Sequence, residues 1–339
     1  MPSSIAVNTL LIGSLARETI INSQDRAFID FPGGDIVYSA YGAIVAGSPV
    51  GLLSKVGENY PEEWIHQLGN DGINTEGIIR LPDDIDNRRF FRTFKNGQIS
   101  SRNPHEHFLE IDQPFPKTLL GYSTFIDQSL INKSINPTSI LPSDIPSNLS
   151  DVKNIYLSNC DFATLSLLPA YLRTIIKPNI YIKMDGRFFK PAQLNEISSL
   201  INSSKILFSS ENDLKNLILK REKSAWEAAK IIGNFDVEMI IFISGINQIY
   251  LYISHSGRRI SIPVFYNDCI DTVGCFDAFI GGFLGRYTKS FDPISSAAFG
   301  SAVMGIKIQG SKPEFILGSM PELIQARYEK VKVQISSTQ

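Results

Sequence analysis

The segment Asp271-Thr272-Val273-Gly274-Cys275-Phe276-Asp277-Ala278-Phe279-Ile280-Gly281-Gly282-Phe283-Leu284 joins two kinds of sequence. A polar, glycine-containing turn runs directly into an apolar helical pattern. Phe276, Phe279, Ile280, Phe283 and Leu284 fall at i, i+3, i+4, i+7 and i+8, one face of a helix. The free N–H groups of a helix's first turn attract anions, and the helix dipole adds to that attraction. A lone carboxylate, Asp277, stands at this junction, where it would repel a phosphate. It makes more sense as a base that takes the proton of a hydroxyl attacking that phosphate. An ordinary loop and amphipathic helix with an acid in the first turn is the plainer reading of the same residues.

Working outward, residues 5–13 read as a buried strand ending in Gly13, 36–47 as a tightly packed helix and 50–56 as a second core strand. Pro61 opens a helix at a favoured first-turn place. Asn96-Gly97 is a hairpin turn signal between strands at 88–94 and 98–102, whose mixture of Phe and Arg suits a lid more than a core. The Ser-, Asn- and Pro-rich stretch 131–150 reads as a surface loop or insertion. Strand and helix patterns then alternate from Asn154 to Ile243, followed by a hairpin through Ser256-Gly257. Such alternation predicts a largely parallel sheet covered by helices, with right-handed connections. Pro32-Gly33-Gly34-Asp35 opens the helix at 36–47, and two glycines there permit close backbone approach of a polar ligand.

The chain has 339 residues, enough for one large α/β domain or two smaller ones. Hydrophobic residues make up 43% and charged residues 19%, as in globular proteins, and a net charge of −2 gives no case for nucleic acid or an anionic membrane. Cys160, Cys269 and Cys275 have no metal or disulfide spacing, so a reducing cytoplasm is the expected location. The N-terminus lacks a signal-peptide pattern, and no run is long enough to span a bilayer. No P-loop, dinucleotide fingerprint or His/Cys metal cluster is present. His105 and His107 read as exposed residues of the lid-like region.

Asp271, Thr272, Gly274, Asp277, Ala278, Phe279 and Gly281-Gly282-Phe283 resemble the C-terminal signature of the ribokinase-like (PfkB-type) carbohydrate kinases, Asp-Thr-x-Gly-Ala-Gly-Asp-Ala-Phe with a following Gly-Gly-Phe-like stretch. The resemblance runs in order over about residues 5–312. It implies a ribokinase-like three-layer α/β sandwich with a mostly parallel central sheet. One domain would span 1–330, with a small β lid from about 14–32 and 86–112, and 331–339 would be a C-terminal tail. It also implies transfer of the γ-phosphoryl of ATP, with Mg²⁺, to a hydroxyl of a sugar-like small molecule. Asp277 would be the catalytic base, and Gly274, Cys275 and Phe276 would line the anion hole. Phe276 replaces a glycine of the family pattern, so either the turn has ordinary φ there or the hole is altered.

By the same resemblance, Gly33, Gly34, Asp35, Tyr38 and Glu18 would bind substrate; Tyr38 alternatively packs in the core, and Glu18 alternatively is a solvated loop acid. Asp185, Arg187, Gly245, Asp271 and Thr272 would lie on the nucleotide side, with a structural ion pair as the other reading of Asp185 and Arg187. Glu211 and Asp213 would reach the metal through water, or else cap a helix with Ser210. A homodimer through the Phe-rich lid is a further implication. Two rivals stay open: a nucleoside kinase of the same fold, with Tyr38, Phe90, Phe91 or Phe94 stacking on a base, and a non-catalytic ligand-binding relative.

Overall fold

The computed structural model describes residues 7–123, 135–147, 149–184, 194–202, 204–218 and 224–338. The strands are β1 Thr9–Ile12, β2 Ala16–Ile21, β3 Ala27–Gly33, β4 Val50–Val56, β5 Asn74–Arg80, β6 Arg88–Thr93, β7 Ile99–Ser100, β8 Asn154–Ser158, β9 Asn179–Lys183, β10 Ile206–Ser210, β11 Met239–Ser244, β12 Gln248–Ile253, β13 Arg258–Pro263 and β14 Ser336–Thr338. The α-helices are α1 Asp35–Val45, α2 Glu62–Asn70, α3 Pro104–Glu110, α4 Phe162–Ile175, α5 Leu194–Ile201, α6 Glu211–Leu217, α7 Ala225–Gly233, α8 Cys275–Ser290, α9 Pro293–Ile308 and α10 Pro321–Lys332.

Among the described residues, ten strands form one sheet in the order β14-β13-β12-β11-β10-β9-β8-β1-β4-β5. From β5 to β11 neighbouring strands are parallel; β12, β13 and β14 pair antiparallel. The near-continuous apolar strands follow from burial on both faces. Tyr156, Tyr181, Phe208 and Ile241 pack toward α1, α8, α9 and α10. Their neighbours Ile155, Leu157, Ile182, Leu207 and Ile240 pack toward α4, α6 and α7. The result is a three-layer α/β sandwich. Helices α1 and α8 approach so closely that a side chain at Gly42 or Gly281 would collide with the backbone of the other helix. Gly281 and Gly282 of the opening segment are therefore packing residues.

A second sheet, β3-β2-β6-β7, forms the lid. It is fastened to the residues just before α8: Ser23 N–H donates to Ile270 O (2.9 Å), and Thr93 Oγ1 donates to Asp271 Oδ1 (2.9 Å). Thr272 Oγ1 donates to Gly97 O (3.0 Å) at the tip of the β6–β7 hairpin.

Two boundaries differ from expectation. Residues 131–134 and 148 lie outside the described residues, but the rest of 131–150 is no mere surface loop: Ile140 and Leu149 are buried in the core. Asn136 and Ser139 both donate to the carboxylate of Asp161, which caps α4. Apolar positions spaced among serines and prolines do not show the helix or strand period that marks burial. The expected tail 331–339 begins inside α10 and continues into β14, which fills the open edge of β13. Among the described residues, no helix is long and apolar enough to cross a membrane.

Candidate active site

Helix α8 begins at Cys275, one residue past Gly274, which takes the left-handed conformation (φ 69°). A Cβ on Gly274 would also run into the ring of Tyr38, so both conformation and space require glycine here. No side chain caps α8; Cys275 N–H donates to Thr272 O (3.2 Å), and the other amides that open the helix are left to an anion. Phe276 is the second helical residue and is absent from the positive-φ positions. Its ring stacks on Phe279 (5.7 Å) and meets Phe208 edge-on (6.5 Å). Of the two alternatives posed by the sequence, ordinary φ is the one found.

The Asp277 carboxylate projects from the first turn of α8 and is 5% exposed. Lys183, at the C-terminal end of β9 and on the same strand face as Tyr181, places Nζ 2.6 Å from Asp277 Oδ1. The same ammonium is 4.0 Å from Asp35 Oδ2. Asp35, the first residue of α1, accepts from Arg89 Nη1 (3.0 Å) and from Asn159 Nδ2 (2.5 Å). Arg89 Nη2 continues to Ser14 Oγ (2.6 Å). Asn159 Oδ1 is buried and, among the described residues, has no hydrogen-bond partner. Two helix N-termini, three strand ends and a lid strand thus converge on one polar cluster.

Its electrostatics divide the two acids. For Asp277 burial is the largest influence and raises the pKa; Lys183 opposes it, Asp35 adds to it and Arg89 opposes it, leaving the group at about 7. Asp35 is also buried, but the charges of Lys183 and Arg89 and the hydrogen bonds from Asn159 and Arg89 outweigh that and hold it well below the usual carboxylate range. One carboxylate stays ionised while its neighbour is tuned to exchange a proton near neutral pH, the division of labour acid–base chemistry requires.

Glu18 is fully buried, not a solvated loop acid. It accepts from Gly34 N–H (2.9 Å) and from Tyr38 O–H (2.8 Å), and burial raises its pKa against Arg89, Tyr38 and Gly34. Glu18 fills the space beside Gly33, and Gly34 takes φ 105°. Tyr38, 1% exposed, is packed between Glu18 and Gly274 and supports the cluster from behind. Asp271 and Thr272 lie at the lid contact just before the α8 turn.

On the neighbouring strand ends, Glu211 accepts from Lys215 (2.6 Å) and from Ser244, and its carboxyl is held below the ordinary value by those bonds. Gly245 follows at the end of β11, in the left-handed region, with open space where a side chain would stand. Asp213 is engaged with Ser210, whose hydroxyl caps α6. Asp185 and Arg187 lie outside the described residues.

Lys183, Arg89 and Asn159 did not emerge from the sequence. A lone Lys inside the apolar run Ile180-Tyr181-Ile182-Lys183-Met184 is the signal that marks Lys183, because such a residue needs a partner if buried. Arg89 carries no such mark: Arg88, Arg89 and Arg92 share β6, and only the register assigns Arg88 to Asp86, Arg89 to Asp35 and Arg92 to Asp25.

The sequence matches the pfkB family carbohydrate kinase description over residues 130–317. It is similar to the cytidine kinase of Thermococcus kodakarensis, 23% identical over 286 residues that cover 84% of this chain and 89% of that protein. In structure it resembles the nucleoside kinase of Burkholderia thailandensis in complex with inosine, with a TM-score of 0.70, 18% identity and coverage of 95% and 97% of the two chains. It also resembles the ribokinase of Arabidopsis thaliana complexed with ribose and ATP, with a TM-score of 0.66, 12% identity and coverage of 96% and 99%. A family match over more than half of the chain, on a fold with the same layers, means that this chain belongs to the pfkB carbohydrate kinase family and is an ATP-dependent kinase.

Proposed function

We propose that the acceptor is a nucleoside, held between the Asp35–Asn159 pair and the inner face of the lid, and that Asp277 is the catalytic base. The supporting observation is that Asp35 and Arg89 link Asn159, whose buried Oδ1 has no partner among the described residues, to lid strand β6, which carries the partly exposed ring of Phe91. Arg89, Phe91 and Thr93 alternate onto one face of β6, where Arg89 reaches Asp35 and Thr93 reaches Asp271. Phe91, between them, packs with Ile20, Phe31 and Tyr38 and offers its remaining surface to a flat ring. Phe90 faces the other way, into Phe108 and Leu119, and Phe94 packs on His107. Tyr38 is enclosed. Phe91 is therefore the stacking residue among those considered. The cytidine kinase likeness, spread over most of both chains, points the same way.

In this reading the ionised Asp35 and Asn159 Oδ1 receive hydroxyl protons of the sugar and fix its orientation. Lys183 occupies Asp277 Oδ1, leaving Oδ2 for the reacting hydroxyl. As the hydroxyl oxygen bonds to the γ-phosphorus, its proton passes to Asp277, and the electrons of the broken P–O bond leave with ADP. The amides of Gly274 and Phe276, with that of Cys275 held on Thr272 O between them, stabilise the charge on the transferring group. Among the described residues, no group of three His, Cys, Asp or Glu side chains is placed to hold a metal, so Mg²⁺ would be held chiefly by the phosphates, with Glu211 reaching it through water. Bound there, Mg²⁺ would neutralise phosphate charge.

The test is ADP formation with cytidine, uridine, adenosine, inosine, ribose and fructose. Nucleosides are expected to be turned over in preference to free sugars. Phe91→Ala is expected to raise the KM for nucleosides about ten- to hundredfold, the worth of one base–aromatic stack, and to leave that for free ribose unchanged. Preference for a free sugar, with Phe91→Ala neutral, refutes the nucleoside assignment.

A further inference from the structure

Lys307 is fully buried in the otherwise uncharged helix α9, outside the acid–base cluster. Its ammonium sits among three oxygens: Gly310 O at 2.9 Å, Asp271 Oδ2 at 3.0 Å and Asp271 O at 3.4 Å. Two carbonyls and a carboxylate are the donors that suit a hard cation, and here the cation is attached to the chain. The other oxygen of Asp271 accepts from Val273 N–H (3.0 Å) and Thr93 Oγ1 (2.9 Å). Val273 precedes Gly274, the left-handed residue that opens α8. The backbone closes the same unit, since Ile270 N–H and Asp271 N–H both donate to Ile308 O at 2.9 and 3.0 Å. Tyr38, whose ring packs on Gly274, also lies 5.5 Å from Nζ.

We propose that Lys307 is a built-in monovalent cation for the phosphate-binding turn, a positioning residue that holds Asp271 and, through it, residues 273–274. The inference rests on the proposed role of that turn. A carboxylate directly behind amides that must attract a phosphoryl group would oppose them; an ammonium against it cancels that charge. Tethering also removes the need for a free potassium or ammonium ion at this place. The enzyme is therefore indifferent to which monovalent cation is in the buffer.

The experiment compares the full-length enzyme and Lys307→Met in potassium, ammonium and tetramethylammonium chloride at equal ionic strength. It measures kcat, the KM for ATP and the thermal midpoint. The parent enzyme is expected to vary less than about twofold among the salts, while K307M in tetramethylammonium loses about a hundredfold in kcat, the scale of a disrupted anion hole. Potassium or ammonium, small enough to enter the vacated oxygen cage, is expected to restore about tenfold or more of K307M turnover and to raise its thermal midpoint. The midpoint shift does not require turnover, so it decides the cation cage even if Asp277 or the 274–276 turn has another role. If K307M does not fold, Asp271→Asn/Lys307→Met, which removes both charges, is expected to fold and to show no response to potassium. Three results overturn the proposal: a parent enzyme that loses activity when potassium is replaced by tetramethylammonium, a folded K307M with parental kcat, or a folded K307M whose kcat and midpoint ignore potassium and ammonium alike.

Discussion

Asp277→Asn separates the proton chemistry of the site from its folding. In the folded chain Asp277 binds its proton up to about pH 7, against an ordinary value of 3.8. With the folded pKa raised, the group's contribution to stability is fully present below the unfolded value and lost as pH rises through about 7. Between about pH 5.5 and about pH 8.5 the loss is roughly 2 kcal/mol, at about 1.4 kcal/mol per pKa unit. The amide that replaces the carboxylate in Asp277→Asn does not titrate. The unfolding free energy of the parent minus that of Asp277→Asn should therefore fall by ~2 kcal/mol over that range, whatever the constant offset from leaving Lys183 without its carboxylate. Urea unfolding followed by the fluorescence of Trp64 and Trp226 at the two pH values measures that difference.

The same variant tests the chemistry. Removing a general base costs about 10²–10⁴-fold in rate, and kcat/KM of the parent should rise about tenfold per pH unit below pH 7 and level off above it. The residual rate of Asp277→Asn should be flat across that range. A parent profile with its midpoint near 4, together with a stability difference that does not change with pH, would refute the reasoning. Burial would then not be raising this carboxylate, and the base would lie elsewhere.

Two further outcomes follow from neighbouring residues. Phe276→Gly restores the glycine of the family pattern but removes a ring packed on Phe279 and Phe208; it should cost about 3–5 kcal/mol in unfolding free energy with no gain in kcat, because φ at 276 is already ordinary. A more active variant of parental stability would count against this. Lys183→Met removes the strongest influence holding the Asp277 pKa down, so the acid limb of the rate profile should move to higher pH by at least about one unit. Lys183→Arg should keep the limb in place, and an unmoved limb in Lys183→Met would deny that Lys183 tunes the base.

The fold was legible where the chain repeats a simple period. Strands buried on both faces print as unbroken apolar runs such as Ile155–Leu157 and Ile240–Phe242, and the amphipathic start of α8 carries a turn and an acid at fixed spacing. The lid hairpin was legible because Asn96-Gly97 offers a glycine for the positive φ a tight turn needs, and Gly97 takes φ 79°. Burial without a period was not legible. Ile140 and Leu149 sit in an irregular, serine-rich stretch, and β14 is three residues long with nothing apolar in it. Its place depends on the open edge of β13, which a local reading cannot see.

The candidate site divides in the same way, and the division has a physical cause. Residues whose backbone shapes the turns of the site, such as Gly34 and Gly274, leave a local trace because a positive φ restricts the residue type at that position. Side chains that act as partners leave none, since the partner lies a whole fold away: Arg89 meets Asp35 across 54 positions, and Lys183 meets Asp277 across 94. What remains readable is incongruity. Lys183, largely enclosed, and Lys307, fully buried, are each the lone charged residue of a mostly apolar element, and a lysine enclosed that way is costly unless oxygen atoms surround it. Each therefore implies an acid elsewhere, and both acids, Asp277 and Asp271, belong to the segment with which the sequence reading began. The segment's two carboxylates are thus separated by their cations. The cation on Asp277 is shared with Asp35 at the edge of the cleft and leaves that acid able to exchange a proton near neutral pH, whereas the cation on Asp271 is enclosed and fixes the turn.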